Sequence, residues 1–152
     1  MVVFRVGKTE YCNDLLGEGA RLFGGRWNLV GVACLYTSSS RALSVLEYSV
    51  NLNAYEIPKL LSFTLIEIPD NEIYEVNIKD LPDGWNSFPV PTISRLFGST
   101  LLTGSNKAII KIPSTIITKE FNYLLNPYHK ESYKFKIVEI EDFVYDDRIK
   151  AL

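Results

Sequence analysis

Four side chains of different chemistry, Arg26, Tyr36, Glu47 and Ser114, stand at positions that could form one site. Arg26 lies in the stretch Gly-Gly-Arg-Trp-Asn of residues 24–28, Tyr36 closes an apolar run ten residues later, and Glu47 follows after eleven more. A guanidinium offers a planar fork of donors that suits a pyrophosphate. A carboxylate can stabilise the positive charge of a breaking glycosidic bond. The set is therefore suited to holding a dinucleotide and cleaving its glycosidic bond.

Each of the four residues also has a purely structural interpretation. Arg26 can be a surface arginine packed on Trp27, and Tyr36 can be a core aromatic on one strand face. Glu47 can pair with a lysine or arginine of a neighbouring strand, and Ser114 can cap the end of its strand. Their order and spacing together, rather than any single member, favour the functional interpretation.

The helix that carries Glu47 is predicted from its cap and its periodicity. The three serines at 38–40 offer an N-cap for a helix over residues 41–52. Leu43, Leu46 and Val50 recur at helical spacing and are expected to form its buried stripe. Glu47 lies about 40° around the helix from Leu43. We therefore expect its carboxylate at the edge of the buried face.

The other predicted elements are mostly strands. Their ranges are 2–6, 32–37, 60–68, 73–76, 108–112 and 135–140, with a short helix over 118–125 and a proline-bearing loop over 80–91. Because the strands outnumber the helices and do not alternate with them, the sequence predicts an α+β fold. We expect one domain over residues 1–152, with mostly antiparallel sheets and a few short helices.

Composition and charge exclude several classes of protein. Apolar residues make up 47% and charged residues 22% of the 152, as in soluble globular domains. A net charge of −2 provides no basic surface for nucleic acid or an anionic membrane. No apolar run reaches the ~18 residues of a membrane span, and the first residues lack a signal-peptide pattern. Two cysteines, Cys12 and Cys34, favour reduced thiols in a cytoplasmic protein.

Common catalytic and nucleotide-binding motifs are absent. Gly17 and Gly19 are followed by Leu22 where a dinucleotide fingerprint needs glycine, and there is no phosphate-binding loop. His129 is the only histidine, so neither a Ser-His-Asp hydrolase nor a zinc site is supported. An enzyme of this sequence would use carboxylate, guanidinium, hydroxyl and phenol groups, without a metal.

Further motifs, taken with these four residues, resemble the RES domain family, which is named for its Arg, Glu and Ser. They are Arg5 in an early strand, Gly-Gly-Arg-Trp-Asn at 24–28, Tyr-Thr-Ser at 36–38, Pro113-Ser114, Asn-Tyr-Leu at 122–124, Asn-Pro-Tyr-His at 126–129 and Asp-Asp-Arg at 146–148. The resemblance extends from about residue 4 to residue 148. Two positions depart from the family pattern: Asn51 replaces a frequent histidine, and the tryptophan usual after the equivalent of Gly98 is missing.

The resemblance implies an ADP-ribosyltransferase-like fold and a toxin of a toxin–antitoxin pair that cleaves NAD at the nicotinamide–ribose bond. It implies inorganic phosphate as the acceptor; water, a protein side chain, or a non-catalytic nucleotide-binding role are the alternatives. The partner that it implies is an Xre-type helix-turn-helix antitoxin, bound in a dimer or higher assembly.

The resemblance also assigns roles to residues of this chain. Glu47, Arg26, Tyr36 and Ser114 are expected to be catalytic, with Ser114 and an arginine holding the phosphate. Contacts with NAD are expected from Arg5, Arg26, Tyr36, Trp27 and Asn126. An ion pair at a strand edge remains the alternative for Arg5, and a local loop-fixing hydrogen bond remains the alternative for Asn126.

Overall fold

A computed structural model describes residues 1–150, which form seven strands and three α-helices. The elements in chain order are β1 (Val2–Lys8), α1 (Glu18–Phe23), β2 (Leu35–Ser38), α2 (Arg41–Val50), β3 (Leu61–Glu67), β4 (Ile73–Glu75), α3 (Thr92–Gly104), β5 (Ile109–Pro113), β6 (Phe121–Leu125) and β7 (Lys136–Phe143). Short 3-10 turns lie at Thr9–Tyr11, Asp70–Glu72, Ile78–Asp80, Ser132–Lys134 and Asp147–Lys150. The last two residues of the predicted domain, 151 and 152, lie outside this description.

The strands form one sheet in the order β4-β5-β6-β2-β1-β3-β7. Only the β4–β5 pair is parallel, and the other five pairs are antiparallel. The predicted α+β class with mostly antiparallel pairing is therefore confirmed, with a single mixed sheet in place of several. The central position of β6 and β2 brings the ends of β5, β6 and β2 side by side.

Both long helices lie on the same face of this sheet. Side chains alternate between the two faces of a strand, so Tyr36 and Ser38 of β2 share a face. Ser38 is the register partner of Phe4, whose core cluster includes Val45 and Tyr48 of α2. Tyr36 packs in a second cluster with Trp27 and residues of α3. The region between α2 and α3 on this face, called the cleft below, is therefore bordered by both helices.

The helix over Arg41–Val50 forms as predicted, but its buried side is different. The Ser40 hydroxyl accepts a hydrogen bond from the Leu43 backbone nitrogen at 3.1 Å, which is the expected N-cap. Leu43 is buried, whereas Leu46 and Val50 are 37% and 56% exposed. The buried stripe instead includes two serines, Ser44 and Ser49, which donate to backbone carbonyls of their own helix. Internal satisfaction of these hydroxyls lets small side chains be buried, so α2 can approach the sheet.

Two other element predictions are wrong. Residues 118–125, predicted as a short helix, contain strand β6, because its backbone pairs with β5 on one side and β2 on the other. Such tertiary pairing overrides weak local preference. The helix α3 was not predicted, since its sequence holds Gly98, Gly104 and three threonines, which are poor helix formers.

Candidate active site

The carboxylate of Glu47 lies where α2 meets the ends of β5, β6 and β2. Its Oε1 accepts a hydrogen bond from Ser114 Oγ at 2.7 Å and another from Asn122 Nδ2 at 2.5 Å. Asn122 Oδ1 accepts in turn from Ser38 Oγ at 2.7 Å. Three side chains from three segments thus fix one carboxylate oxygen, two directly and Ser38 through Asn122. The other oxygen, Oε2, has no hydrogen-bond partner within residues 1–150, and the side chain is half-buried.

Ser114 has its hydroxyl oriented from both sides. The residue is fully buried directly after β5, and its Oγ accepts from the backbone nitrogens of Ile116 at 3.0 Å and Ile117 at 3.2 Å. With these two donors on the oxygen, the hydroxyl proton points to Glu47. Ser114 therefore orients the carboxylate, in addition to capping the strand end as its structural interpretation predicts.

Tyr36 uses its hydroxyl to hold the turn that contains Arg26. The Tyr36 hydroxyl donates to Asn28 Oδ1 at 2.6 Å and accepts from the Trp27 backbone nitrogen at 2.9 Å. A Cβ added at Gly25 would lie 2.6 Å from the tyrosine oxygen, so only glycine allows this approach. The turn that contains Arg26 is thereby fixed relative to β2.

The ionisation of Tyr36 is suppressed. Burial raises the pKa of Tyr36 well above its ordinary value, and the nearby Cys34 acts in the same direction. The positive charges of Arg26 and Arg95 oppose this pKa shift without outweighing it. Tyr36 is therefore a neutral phenol at physiological pH, and both its hydrogen-bonding functions are available to the turn.

Arg26 lies between the Glu47 carboxylate and the loop that precedes α3. Its Nη1 donates to the backbone carbonyls of Trp85 at 2.9 Å and Ser87 at 3.0 Å. Burial lowers the pKa of Arg26, and the negative charge of Glu47 opposes that shift. Within the part of the chain that the structure describes, Nη2 and Nε make no hydrogen bond. The arginine is thus fixed by one nitrogen while the rest of its fork stays open to an anion.

The side chain of Trp27 is part of the core. It is only 3% exposed and stacks on Trp85, with ring centroids 5.9 Å apart and planes at 26°. Phe97 of α3 packs against the same ring at a centroid distance of 6.2 Å. The indole thus joins the turn to α3, and the expected contact of Trp27 with NAD stays a prediction.

Arg5 lies on the opposite face of the sheet from Glu47. It alternates on β1 with Phe4, whose side chain faces α2, and it shares its face with Val3. Its guanidinium donates to the backbone carbonyls of Asp14 at 2.8 Å and Tyr11 at 2.9 Å. Burial lowers the pKa of Arg5, with the charge of Asp14 opposing. Arg5 thus fixes the segment after β1, and its expected contact with NAD stays a prediction.

Asn126 is also engaged in local structure. Its Nδ2 donates to the Leu102 carbonyl of α3 at 2.6 Å, and its Oδ1 accepts from the Tyr128 backbone nitrogen at 2.9 Å. These bonds join the end of β6 to α3 and fix the following turn. The loop-fixing interpretation therefore describes these hydrogen bonds of Asn126, and its expected contact with NAD stays a prediction.

Sequence reasoning missed Arg95, and it did not connect Asn122 and Ser38, which belong to the family motifs, with Glu47. Asn122 and Leu124 alternate on β6, so a strand assignment would have placed Asn122 on the face of Tyr36 and Ser38. The incorrect helix over 118–125 concealed this. Arg95 belongs to the helix α3 that was not predicted. Its Nε is buried without a hydrogen-bond partner, the one such side-chain atom found within residues 1–150.

The two positions that depart from the family pattern have clear places in the structure. Asn51 is the C-cap of α2 and donates to the Glu47 backbone carbonyl at 3.0 Å. Gly98 faces the Trp27 backbone, where an added Cβ would lie 2.1 Å from the carbonyl oxygen. Its neighbour Ser99 accepts from the Leu29 backbone nitrogen at 2.9 Å. Both departures thus support the frame of the cleft.

Residues 1–150 contain no group of three or more His, Cys, Asp or Glu side chains arranged to hold a metal ion. Over the same residues, none of the helices has the length and apolar character needed to cross a membrane.

The sequence and fold match known proteins over nearly the whole chain. The RES domain profile matches residues 2–146, and the chain belongs to the RES domain family. It is 37% identical over 145 residues to the "Prs ADP-ribosylating toxin" of Sphingobium sp. (strain YBL2), covering 93% of this chain and 90% of that protein. It is 34% identical over 152 residues to the "Toxin Res" of Photorhabdus laumondii, covering 98% and 97% of the two chains.

The fold resembles a chain in the crystal structure of the M. tuberculosis MbcT–MbcA toxin–antitoxin complex. The TM-score is 0.75, and the match covers 93% of this chain and 83% of that chain at 14% identity. At this identity the likeness concerns the fold alone. It agrees with the predicted α+β architecture.

Proposed function

We propose that this protein is the toxin of a toxin–antitoxin pair and cleaves NAD at the nicotinamide–ribose bond in the cytoplasm, with inorganic phosphate as the acceptor. The arrangement of Glu47 carries the proposal. One oxygen of its carboxylate is held by Ser114 and Asn122, and the other has no partner within residues 1–150. A carboxylate fixed in this way suits the positively charged nicotinamide end of NAD. The neighbouring charge of Arg26 suits the anionic pyrophosphate in the middle of the molecule.

In the proposed reaction Arg26 binds the pyrophosphate of NAD, and the nicotinamide lies near the ring of Tyr36. The C–N bond breaks with its electron pair moving to the pyridine nitrogen, so nicotinamide leaves as a neutral molecule and needs no general acid. Positive charge develops at the anomeric carbon, where the free oxygen of Glu47 stabilises it. Such stabilisation is catalytic because the charge grows mainly in the transition state.

A phosphate oxygen then bonds to the anomeric carbon, giving ADP-ribose phosphate. Ser114 was expected to hold this phosphate with an arginine, but its hydroxyl donates to Glu47 and its oxygen accepts from two backbone nitrogens. We therefore assign Ser114 to positioning Glu47. Tyr36 likewise acts by holding the Arg26 turn through its hydroxyl, while its ring remains the surface for the nicotinamide.

The names of the relatives support a toxin. Proteins from Sphingobium and Photorhabdus that are 37% and 34% identical are both named as toxins, and each match covers at least 90% of both chains. The matched M. tuberculosis chain comes from a toxin–antitoxin complex. We propose an Xre-type antitoxin that binds over the Arg26–Glu47 cleft, and a single RES domain that fills residues 1–152.

A second candidate function is transfer of ADP-ribose to a protein side chain. The Sphingobium relative, 37% identical, is named as ADP-ribosylating toward Prs. The same cleft would break the same bond, and only the attacking nucleophile would differ. Transfer to protein would leave ADP-ribose on a macromolecule, whereas phosphorolysis would leave a small sugar-phosphate product.

The test is incubation of purified protein with NAD, with and without added phosphate, followed by mass analysis of both small molecules and protein. Phosphorolysis predicts slow NAD loss without phosphate, acceleration with phosphate, and ADP-ribose phosphate as product. ADP-ribose alone at equal rates would make the protein a glycohydrolase. Labelled protein substrate in a lysate, without the sugar phosphate, would select the second function. No NAD loss under any condition would contradict both.

A further inference from the structure

We infer that Arg95 is a second anion-binding group in the cleft and that, together with Arg26, it holds a phosphate group of a ligand. The inference rests on the proposed function for the identity of that ligand. Its chemistry is a phosphate oxyanion, supplied either by the pyrophosphate of NAD or by inorganic phosphate.

The position of Arg95 on α3 follows from its neighbours one turn later. Gly98 lies against the Trp27 backbone, and the Ser99 hydroxyl accepts from the Leu29 backbone nitrogen. Residues three and four apart share one side of a helix. Arg95 therefore lies on the side of α3 that faces the Arg26 turn, one turn closer to the start of the helix.

Arg26 is also joined to the start of α3, through the loop that precedes this helix. Its Nη1 and the hydroxyl of Ser94 both donate to the carbonyl of Trp85, at 2.9 Å and 3.0 Å. A single backbone oxygen thus joins Arg26 to the residue that precedes Arg95. Tyr36 lies close enough to both guanidinium groups for their charges to act on its hydroxyl.

The hydrogen bonding of Arg95 is incomplete. Its Nε is buried and has no acceptor within residues 1–150, although a buried donor normally has one. In the same part of the chain the arginine makes no ion pair, and Glu47 is the only carboxylate whose charge is felt at Arg26. Two guanidinium groups and one carboxylate give this end of the cleft an excess positive charge, although the whole chain carries −2.

An oxyanion would complete this arrangement. Arginine binds phosphate oxygens through paired, charge-assisted hydrogen bonds, and Nε with one Nη forms such a pair. The buried Nε of Arg95 would gain its missing acceptor, and the open Nε and Nη2 of Arg26 would approach the same group. Two guanidinium groups attract a doubly charged phosphate group more strongly than one guanidinium group does.

The test measures binding of NAD and of inorganic phosphate separately. Arg95→Gln and Arg95→Lys are compared with the wild-type protein by calorimetry in phosphate-free buffer, and inorganic phosphate is titrated by phosphorus NMR. Arg148→Gln is the control, because Arg148 is 90% exposed and paired only with Asp146. Arg95→Gln is expected to weaken one ligand at least tenfold, with Arg95→Lys intermediate. Weaker NAD binding would show that Arg95 holds the pyrophosphate of NAD. Weaker phosphate binding would show that Arg95 holds the inorganic phosphate co-substrate.

Unchanged binding of both ligands in a folded Arg95→Gln protein would overturn the inference. If that variant does not fold, Arg95→Lys decides: weaker binding of NAD or phosphate supports the anion site, and unchanged binding of both overturns it. The two proposals fail separately. Weaker ligand binding in an Arg95 variant, together with a wild-type protein that never consumes NAD, would remove the proposed function alone. Undiminished NAD binding and turnover in Arg95→Gln would remove the role of Arg95 alone.

Discussion

The Ser114 hydroxyl donates a 2.7 Å hydrogen bond to Oε1 of Glu47, joining residues 67 positions apart. Its oxygen is held by two backbone nitrogens, so the donor cannot rotate away without losing both. The result is a carboxylate with one oxygen fixed by the protein frame, while the other has no hydrogen-bond partner within residues 1–150. Fixed groups of this kind stabilise developing charge without reorganising during the reaction.

Glu47→Gln is expected to lower NAD turnover by about 100-fold or more, equivalent to roughly 3 kcal/mol of transition-state stabilisation. The amide oxygen can still accept from Ser114 and Asn122, so the fold should be kept, but the charge is lost. NAD binding should change much less, because the positive charge grows mainly in the transition state. The measurement is kcat and the Kd for NAD, with Glu139→Gln on exposed β7 as the matched control. Near-normal NAD consumption by folded Glu47→Gln would remove the proposed mechanism.

Asn122→Asp is expected to move the acidic limb of the turnover profile to higher pH. The substitution keeps the shape but places a second carboxylate where Nδ2 now donates to Glu47 at 2.5 Å. Two carboxylates at this distance share a proton, so the pKa of the pair rises. Turnover at neutral pH should fall and recover as the pH increases.

Stability gives an independent readout of the same variant. Because the folded pKa of the pair is raised above the unfolded value of about 4, the variant should lose stability relative to the wild type as the pH rises from about 5 to 8. Thermal unfolding across that range checks this, and Asn106→Asp on the exposed surface is the control. A profile and a stability curve that both follow the wild type would contradict the Asn122–Glu47 contact.

The local part of the fold could be predicted from the sequence, and the long-range part could not. The α2 helix was predicted because its cap and periodicity lie within a dozen residues, and Ser40 caps it as expected. Strand β6 was mistaken for a helix because its identity depends on pairing with β5 and β2, which are distant in sequence. The α3 helix was missed because packing of its Gly98 on Trp27, rather than helix propensity, supports it.

Of the candidate site, too, only the part that depends on spacing along the chain could be predicted from the sequence. Spacing along the chain singled out Arg26, Tyr36 and Glu47, whose roles here are still predictions. It could not find the contact of Asn122 with Glu47, because that contact needs the strand order β5-β6-β2. The face on which Arg5 lies could not be predicted for a related reason: strand alternation separates Arg5 from Phe4, and only the packing of α2 reveals which face is which.

Tyr36→Phe is expected to destabilise the protein by about 1–3 kcal/mol, because the Trp27 nitrogen and Asn28 Oδ1 both lose a buried partner. The pH dependence has a definite sign. The folded pKa of Tyr36 is raised by burial, whereas an unfolded tyrosine ionises near about 10. The stability contributed by the neutral phenol is therefore complete below about pH 10 and is lost as the pH rises further.

The wild-type free energy of unfolding should accordingly fall more steeply between about pH 10 and 11 than that of Tyr36→Phe, by up to about 1.4 kcal/mol per pH unit. Urea unfolding at several pH values measures both slopes. Tyr55→Phe is the control, since that side chain is 86% exposed. Equal slopes for the wild type and Tyr36→Phe would contradict the burial of the phenol.

Arg26→Lys keeps the charge beside Glu47 but loses the planar fork. Arg26 now uses Nη1 for the carbonyls of Trp85 and Ser87, which leaves Nε and Nη2 open. A single lysine ammonium can serve those carbonyls or reach a phosphate, but it cannot do both with paired hydrogen bonds. The Kd for NAD should therefore rise about tenfold or more, about 1.4 kcal/mol of binding.

Calorimetry measures the Kd, and thermal unfolding checks the fold. Arg21→Lys, which alters a surface pair with Glu18, should bind NAD as the wild type does. Equal affinity in Arg26→Lys would remove Arg26 from the site, while a weakened Arg21→Lys would show that any lost fork reduces binding.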